Sequence, residues 1–324
     1  MDKPYTTYEE QIKILKDKHL VITDETEVVK LLKKCSYFGL ITGYKHPFKD
    51  KEGLYKVHTT INDIYALYSY DMELRELFLK YILIVENHIK SLISYCFCDS
   101  FGEDETAYLN ANNYDYIPSK QDEINHLIGV LKKGMNNYDN HSYLQHQKEN
   151  HGNIPLWVLV KVLTIGIISN MYKLLKPQTQ TKVCKEFEYI SEEDLSQMMD
   201  LLSRFRNVCA HNERSYDYKY IRIKDGKIMP TEICTTDVHK ILKLRTKKGA
   251  YTQGKKDLFA VVIVFKYLLN NEELSSFIEG FDKATEKLLK RTNIIQKSQI
   301  LKLMGFPANW KEIKECPKQI DKEI

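Results

Sequence analysis

The residues best equipped for chemistry lie in one stretch, Leu201 to Arg214, which reads LLSRFRNVCAHNER. On a helical wheel Met198, Leu201, Leu202, Phe205, Val208 and Cys209 share one face, the stripe of a helix side that packs inward. The opposite face gathers Arg204, Asn207, His211 and Arg214, with Arg206 at its edge. An imidazole titrates near neutral pH and can pass protons to or from a ribose hydroxyl or a leaving oxygen. A guanidinium holds a phosphate through two hydrogen bonds and offsets the charge that builds on it. An amide one helical turn before the imidazole can orient its ring or touch the phosphate. Arg206, Asn207 and His211 are therefore the candidate catalytic residues for phosphodiester cleavage. The same residues could instead form a solvated helix face whose cations balance the helix dipole.

Spacing sharpens the choice. Arg206 and His211 are five residues apart, about 140° around a regular helix. Either the helix distorts between them, or one pocket is composed from two copies of the helix. A symmetric homodimer would bring two histidines and two sets of arginines to one phosphate.

Charge supplies the second signal. The chain as a whole is nearly balanced, with 48 Lys and Arg against 44 Asp and Glu. Residues 216–256, however, carry 11 basic side chains against 4 acids. Arg204 and Arg214, with Lys219, Arg222, Lys224 and Lys227 along this segment, are the expected RNA-binding residues. Tyr216, Tyr218 and Tyr220 interleave with them, an arrangement suited to base stacking. Lysines along an exposed hairpin edge also guard against edge-to-edge association, which is the structural alternative.

The elements that must position these groups are mostly helices. The 324 residues are 43% hydrophobic and 28% charged, with only 13 Gly and 8 Pro, a balance that favours helices over a turn-rich β-sandwich. Helices are expected from Thr7 to Asp17 and from Asp24 to Lys34, followed by an aromatic, glycine-punctuated stretch from Ser36 to Tyr44. A hydroxyl-and-acid start at Thr60 opens a long helix to about Phe97, with room for a break. Polar loops are expected over residues 99–120 and 134–153, on either side of a helix from Lys120 to Lys133. Leu156–Leu175 reads as the central core helix, and Ser191 starts the helix that runs to Arg214. Asp225-Gly226 is a two-residue turn between strands Tyr218–Ile223 and Lys227–Ile233. Helical patterns over Thr236–Lys243, Lys255–Leu269 and Glu272–Arg291, and an amphipathic end at Ile300–Trp310, complete the chain. The expected organisation is an N-terminal lobe over residues 1–55, a helical core over 56–215, and a basic hairpin with C-terminal helices over 216–324.

Other signals are weaker. Seven cysteines without a Cys-x-x-Cys pair suit buried, reduced thiols, and with no apolar leader or membrane-length run the expected setting is cytoplasmic. Glu86, among apolar residues, is either a buried acid or part of a solvated stripe with His88 and Lys90. His141, His146 and His151 diverge at their five-residue spacing, so no metal site is expected.

Arg206-Asn207-Val208-Cys209-Ala210-His211 resembles the R-x4-6-H motif of HEPN-superfamily ribonucleases, with Asn after the Arg. The chain also resembles the Abi-like abortive-infection family, of the AbiD/AbiF type, in stretches spread along its length. These are Lys3-Pro4 with Tyr8-Glu9-Glu10-Gln11, Tyr37 through Tyr44, Tyr68-x-Tyr70-Asp71-x-x-Leu74-Arg75, Glu86-x-x-Ile89-Lys90-Ser91, Pro155 through Val160, and Met304 through Trp310. The resemblance implies an all-α, HEPN-like helical bundle core. It also implies a homodimer with a composite site, metal-independent RNA cleavage by Arg206 and His211 with Asn207 in support, and a role against phage. Some members of the family are linked to a small non-coding RNA. Related antitoxin-paired proteins carry a tyrosine two residues after the histidine; here that position is Glu213, so control by nucleotide transfer onto it is not implied. The alternative function is a non-catalytic module that holds a specific small structured RNA.

Overall fold

The computed structural model describes residues 5–224, 227–229, 232–244, 246–247 and 250–318. Capping chemistry places most helix starts. Thr7 caps α1 (Tyr8–Asp17), Asp24 caps α2 (Glu25–Cys35), and a wide-turned π segment, Phe38–Thr42, follows in the glycine-punctuated stretch. Thr60 and Asp63 form a reciprocal capping box that opens α3 (Ile61–Phe101), which runs 41 residues without the break its length suggested. It stays continuous because α13, α10, α9 and α7, introduced below, successively cover it. Gly102, at φ 91, ends it.

Short α4 (Glu105–Tyr108) and α5 (Gln121–Met135) come next. The polar segment expected to be a loop contains a helix instead, α6 (Ser142–His151). Only Leu144 on it is buried, too little apolar signal to announce a helix. The expected core helix Leu156–Leu175 is divided into α7 (Leu156–Leu159), a 3-10 turn over Val160–Val162, and α8 (Ile165–Leu174). Thr164 starts a new helix there, accepting a hydrogen bond from the Ile167 amide at 3.4 Å. After α9 (Pro177–Cys184), a capping box of Ser191 and Asp194 opens α10 (Glu192–Ala210).

Beyond α10, β1 (Arg222–Lys224) pairs antiparallel with β2 (Lys227–Met229), with Arg222 opposite Met229. The strands are shorter than expected, and the Asp225-Gly226 turn lies outside the described residues. The base of this hairpin is tied down by Tyr220 N–H to Lys256 O at 2.8 Å and Ile233 N–H to Lys255 O at 3.0 Å. α11 (Asp237–Ile241) and a second small ladder, β3 (Thr246–Lys247) with β4 (Ala250–Tyr251), lead to α12 (Leu258–Leu268). Every residue of α12 is buried, so this helix, rather than the one at Leu156, occupies the centre. α13 (Asn271–Arg291), α14 (Lys297–Leu303) and a 3-10 turn over Trp310–Lys314 close the fold.

The fold is all-α apart from these short ladders. Phe78 of α3, Phe265 of α12 and Phe277 of α13 meet with ring centroids 5.0–6.1 Å apart, and Phe281 stacks on Phe306 at 4.7 Å beside Trp310. All seven cysteines are unpaired. Among the described residues no helix is long and apolar enough to cross a membrane.

Gly305 seats the C-terminal aromatic segment against the start of α12. Its φ is +84, and a Cβ there would lie 2.2 Å from the Asp257 carboxyl carbon. Gly305→Ala should therefore lower stability by about 2–4 kcal/mol through backbone strain plus overpacking. Urea unfolding checks this, and a loss below about 1 kcal/mol would contradict it.

Asp257 and His239 flank Gly254: the Gly254 N–H donates to Asp257 at 3.3 Å, and its carbonyl lies 2.8 Å from His239 Nε2. Burial, the main cause in both, lowers His239 to about 4 and raises Asp257 to about 6. Neutral His239 contributes stability above its unfolded value near 6.5 that is lost as pH falls towards 4. Protonated Asp257 adds stability as pH falls below 6, so the two effects oppose each other. Asp257→Asn removes the compensation. Its stability should fall more than wild type between about pH 6.5 and 4.5, by about 2 kcal/mol, in denaturant titrations at the two pH values.

Candidate active site at the end of α10

The apolar stripe of α10 is buried as its spacing demands: Met198, Leu201, Leu202, Phe205, Val208 and Cys209 all face the interior. Arg204, Asn207, His211 and Arg214 are exposed, and Arg206 is half-buried. The helix does not run on to Arg214. It stops at Ala210, with His211 as the C-cap residue.

Asn212 is the cause. It takes a left-handed conformation, φ 57, its N–H bonds to Cys209 O at 3.5 Å, and the Glu213 N–H reaches back to Val208 O at 3.1 Å. That pair of bonds is a Schellman turn, and asparagine is the residue after glycine best suited to its left-handed position. The two motif residues thus lie on either side of a helix end: Arg206 inside the last turn, His211 where the chain begins to leave it. Between them the helix is regular, since the His211 N–H still bonds to Asn207 O at 2.9 Å, so the angle of about 140° is kept within one chain.

A buried ion pair on α3 holds the turn. Asp71 and Arg75, 0% and 4% exposed, meet at 2.6 Å. Arg75 donates to Asn212 Oδ1 at 2.5 Å and to the Glu213 carbonyl at 3.2 Å. Asp71 accepts from the Ser215 hydroxyl at 2.6 Å, the Tyr216 amide at 2.7 Å and the Tyr44 hydroxyl at 2.7 Å. Every lone pair of the carboxylate is engaged, and residues 212–216 are fastened to α3 and to the N-terminal segment together. Asp71 and Arg75 are positioning residues that the motif alone does not reveal. Their signal in the sequence is an acid and a base one turn apart on an otherwise apolar helix face.

Electrostatics separate the groups that can react from those that cannot. Burial, and the neighbouring Asp71 carboxylate, push the Cys209 thiol up to about 12, so it stays neutral and is no nucleophile. Arg206 is different: its Nε is buried with no hydrogen-bond partner among the described residues, although a guanidinium normally satisfies each donor.

The expected RNA-contacting residues fall into three groups. Arg204 and Arg214 already have protein partners. Arg204 Nε donates to the Tyr220 hydroxyl at 3.2 Å with its guanidinium over that ring, while Arg214 donates to Gly43 O at 2.7 Å and pairs with Asp217 at 2.7 Å. Lys219 is exposed. The side chains of Arg222, Lys224 and Lys227 lie outside the described set. Base stacking by the tyrosines needs correction: Tyr216 and Tyr220 are 1% and 3% exposed, and Tyr218 packs edge-on against Phe205 at 5.2 Å. Tyr216 stacks on Tyr44 of the N-terminal segment at 5.7 Å, Tyr218 packs on α10, and Tyr220 lies beneath the Arg204 guanidinium.

Glu86 is buried and pairs with Lys90 at 2.7 Å, which rules out the solvated stripe. It lies eleven residues, roughly 16 Å along the helix, beyond Arg75 and does not join the His211 end. Among the described residues no group of three or more His, Cys, Asp and Glu side chains is placed to hold a metal ion.

No curated protein and no solved structure matches the chain. A profile of the Abi-like protein family matches residues 30–217, from α2 through the Asp71–Arg75 pair to the loop after His211. That is more than half of the chain and contains Asp71, Arg75, Arg206, Asn207 and His211, so the protein belongs to the Abi-like family.

Proposed function

We propose that the protein is a metal-independent endoribonuclease of abortive phage infection, with a composite site of two R-x4-H motifs formed by a homodimer. Family membership supports the defence role. The observation that carries the chemistry is the end of α10, where Arg206 keeps an unpartnered buried Nε while His211 is held at an exposed C-cap. Arg206 would bind the scissile phosphate, His211 would move the proton, and Asn207 would steady the imidazole or the phosphate. The ribose 2′-oxygen loses its proton and attacks phosphorus, and the bond from phosphorus to the 5′-oxygen breaks. The 5′-oxygen gains a proton, leaving a 2′,3′-cyclic phosphate and a 5′-hydroxyl. Two copies of the helix end would let one imidazole accept the proton and the other return it.

The HEPN-like character of the core belongs to the same proposal. A second reading, a catalytically silent module for a small structured RNA, is favoured by the excess of cations over residues 216–256. The deciding experiment is cleavage of total and transfer RNA in EDTA, with the product ends mapped. Cyclic phosphate ends support the enzyme; 3′-hydroxyl and 5′-phosphate ends overturn this mechanism. Tight binding with no cleavage moves the silent module ahead.

A further inference from the structure

Two cavities lie side by side along the face that follows the α10 loop. The larger, about 1130 Å³, is walled by α14, the Gly305–Glu312 segment and the loop after α11. The smaller, about 640 Å³, lies between α14 and the N-terminal residues His46–Lys56. Lys219 and Lys302 line both, so the two form one trough that begins beside Asp217, the partner of Arg214.

The trough is cationic. Lys243 and Lys297 line its larger end, Lys49 and Lys56 its smaller. Lys219, Lys243, Lys297 and Lys302 have no carboxylate ion-pair partner among the described residues, whereas Lys311 at the rim is paired with Asp282. The acids in the lining are few and occupied or buried: Asp217 holds Arg214, Glu312 accepts from Asn309 at 3.0 Å, and Asp257 caps α12 from within. Lys219 is close enough to the Asp257 carboxylate to favour its charged form, and Lys243, Lys297 and Lys302 leave a positive field over the concavity that attracts a polyanion.

We infer that this trough is the track for the phosphate backbone of an RNA strand leading away from the His211 end of α10. The inference rests on the RNA reading of that site and adds the path of the substrate. Its length, across two joined cavities and four separate chain segments, exceeds what one small phosphorylated ligand needs. The aromatic rings in its wall, Phe306 and Trp310, are 3% and 2% exposed, so bases find no stacking platform there. Contact falls on phosphates alone, which makes affinity independent of sequence and steep in salt.

The test uses the full chain and a labelled single-stranded RNA of mixed sequence, about 20 nucleotides long, followed by fluorescence anisotropy from about 50 to 200 mM salt. A variant carrying Lys219→Glu, Lys297→Glu and Lys302→Glu is compared with a charge-matched one carrying Lys132→Glu, Lys133→Glu and Lys161→Glu on α5 and the turn after α7. Circular dichroism establishes that both are folded. The trough variant should bind about 30-fold or more weakly and lose about 2 from the salt slope, while the control stays within about threefold of wild type. Equal affinity of the two variants overturns the track, as does a trough that takes up a polyglutamate peptide while RNA binding is unaffected.

The outcomes separate the two readings. Lost binding in the trough variant, together with a wild type that never cleaves, leaves the track standing and removes the ribonuclease. Unchanged binding with cleavage intact does the reverse.

Discussion

Asp71→Ala should lower the free energy of unfolding by about 3–5 kcal/mol, the cost of removing one partner of a buried ion pair. The carboxylate is fully buried and accepts from Arg75, Tyr44, Ser215 and the Tyr216 amide. Without it a guanidinium, two hydroxyls and backbone donors are left in the interior with no comparable acceptor. Urea unfolding of Asp71→Ala measures the loss, set against Asp99→Ala, which removes the exposed pairing with Lys182 and should cost no more than about 1 kcal/mol. Similar losses for the two would show that the buried network does not hold the fold.

Arg75→Ala adds a readout that a purely structural role would not move. Arg75 touches both the Asp71 carboxylate and Asn212, the left-handed residue directly after His211. Its loss should reduce the rate of RNA cleavage out of proportion to the fraction unfolded, and Arg75→Lys should restore stability better than activity. A lysine can pair with Asp71 but cannot reach the carboxylate, Asn212 and the Glu213 carbonyl at once.

His211→Ala should lower RNA cleavage by about 10²–10⁴-fold, the range a positioned proton-transfer group contributes. Stability should barely change, because the His211 side chain is exposed and the helix end is made by backbone bonds from residues 211–213. RNA affinity should likewise be retained. Single-turnover cleavage in EDTA, with unfolding and binding measured on the same preparation, separates these effects. A cleavage rate within about threefold of wild type would remove His211 from the chemistry and leave the silent RNA-binding module as the better account.

Much of the local structure is legible along the chain because it is made by neighbours. Thr7, Asp24, Thr60 and Ser191 cap the helices that follow them, and the apolar stripe of α10 is buried at every expected position. Where local signals were weak or equivocal, the expectation failed. α6 contributes one buried leucine and leaves almost no amphipathic trace. The run Leu156–Leu175 is apolar on most sides, and that pattern alone does not reveal that Thr164 will cap a second helix. The end of α10 was legible in principle, since Asn212 stands where a left-handed terminating residue belongs.

The all-α character, the unpaired cysteines, the helix starts at hydroxyl and acid caps, and the Arg-Asn-x-x-x-His stretch on the solvent side of a buried helix can all be read along the chain. They depend on residues within a turn or two of one another. That Asp71 and Arg75, some 140 residues from the loop they hold, bond to it at the helix end is visible only in three dimensions. The fold likewise turns Tyr216 and Tyr220 inward and brings lysines from four distant segments to one trough. The reason is physical: a buried ion pair and a concave cationic surface depend on which remote segments exclude water together, and spacing along the chain does not encode that.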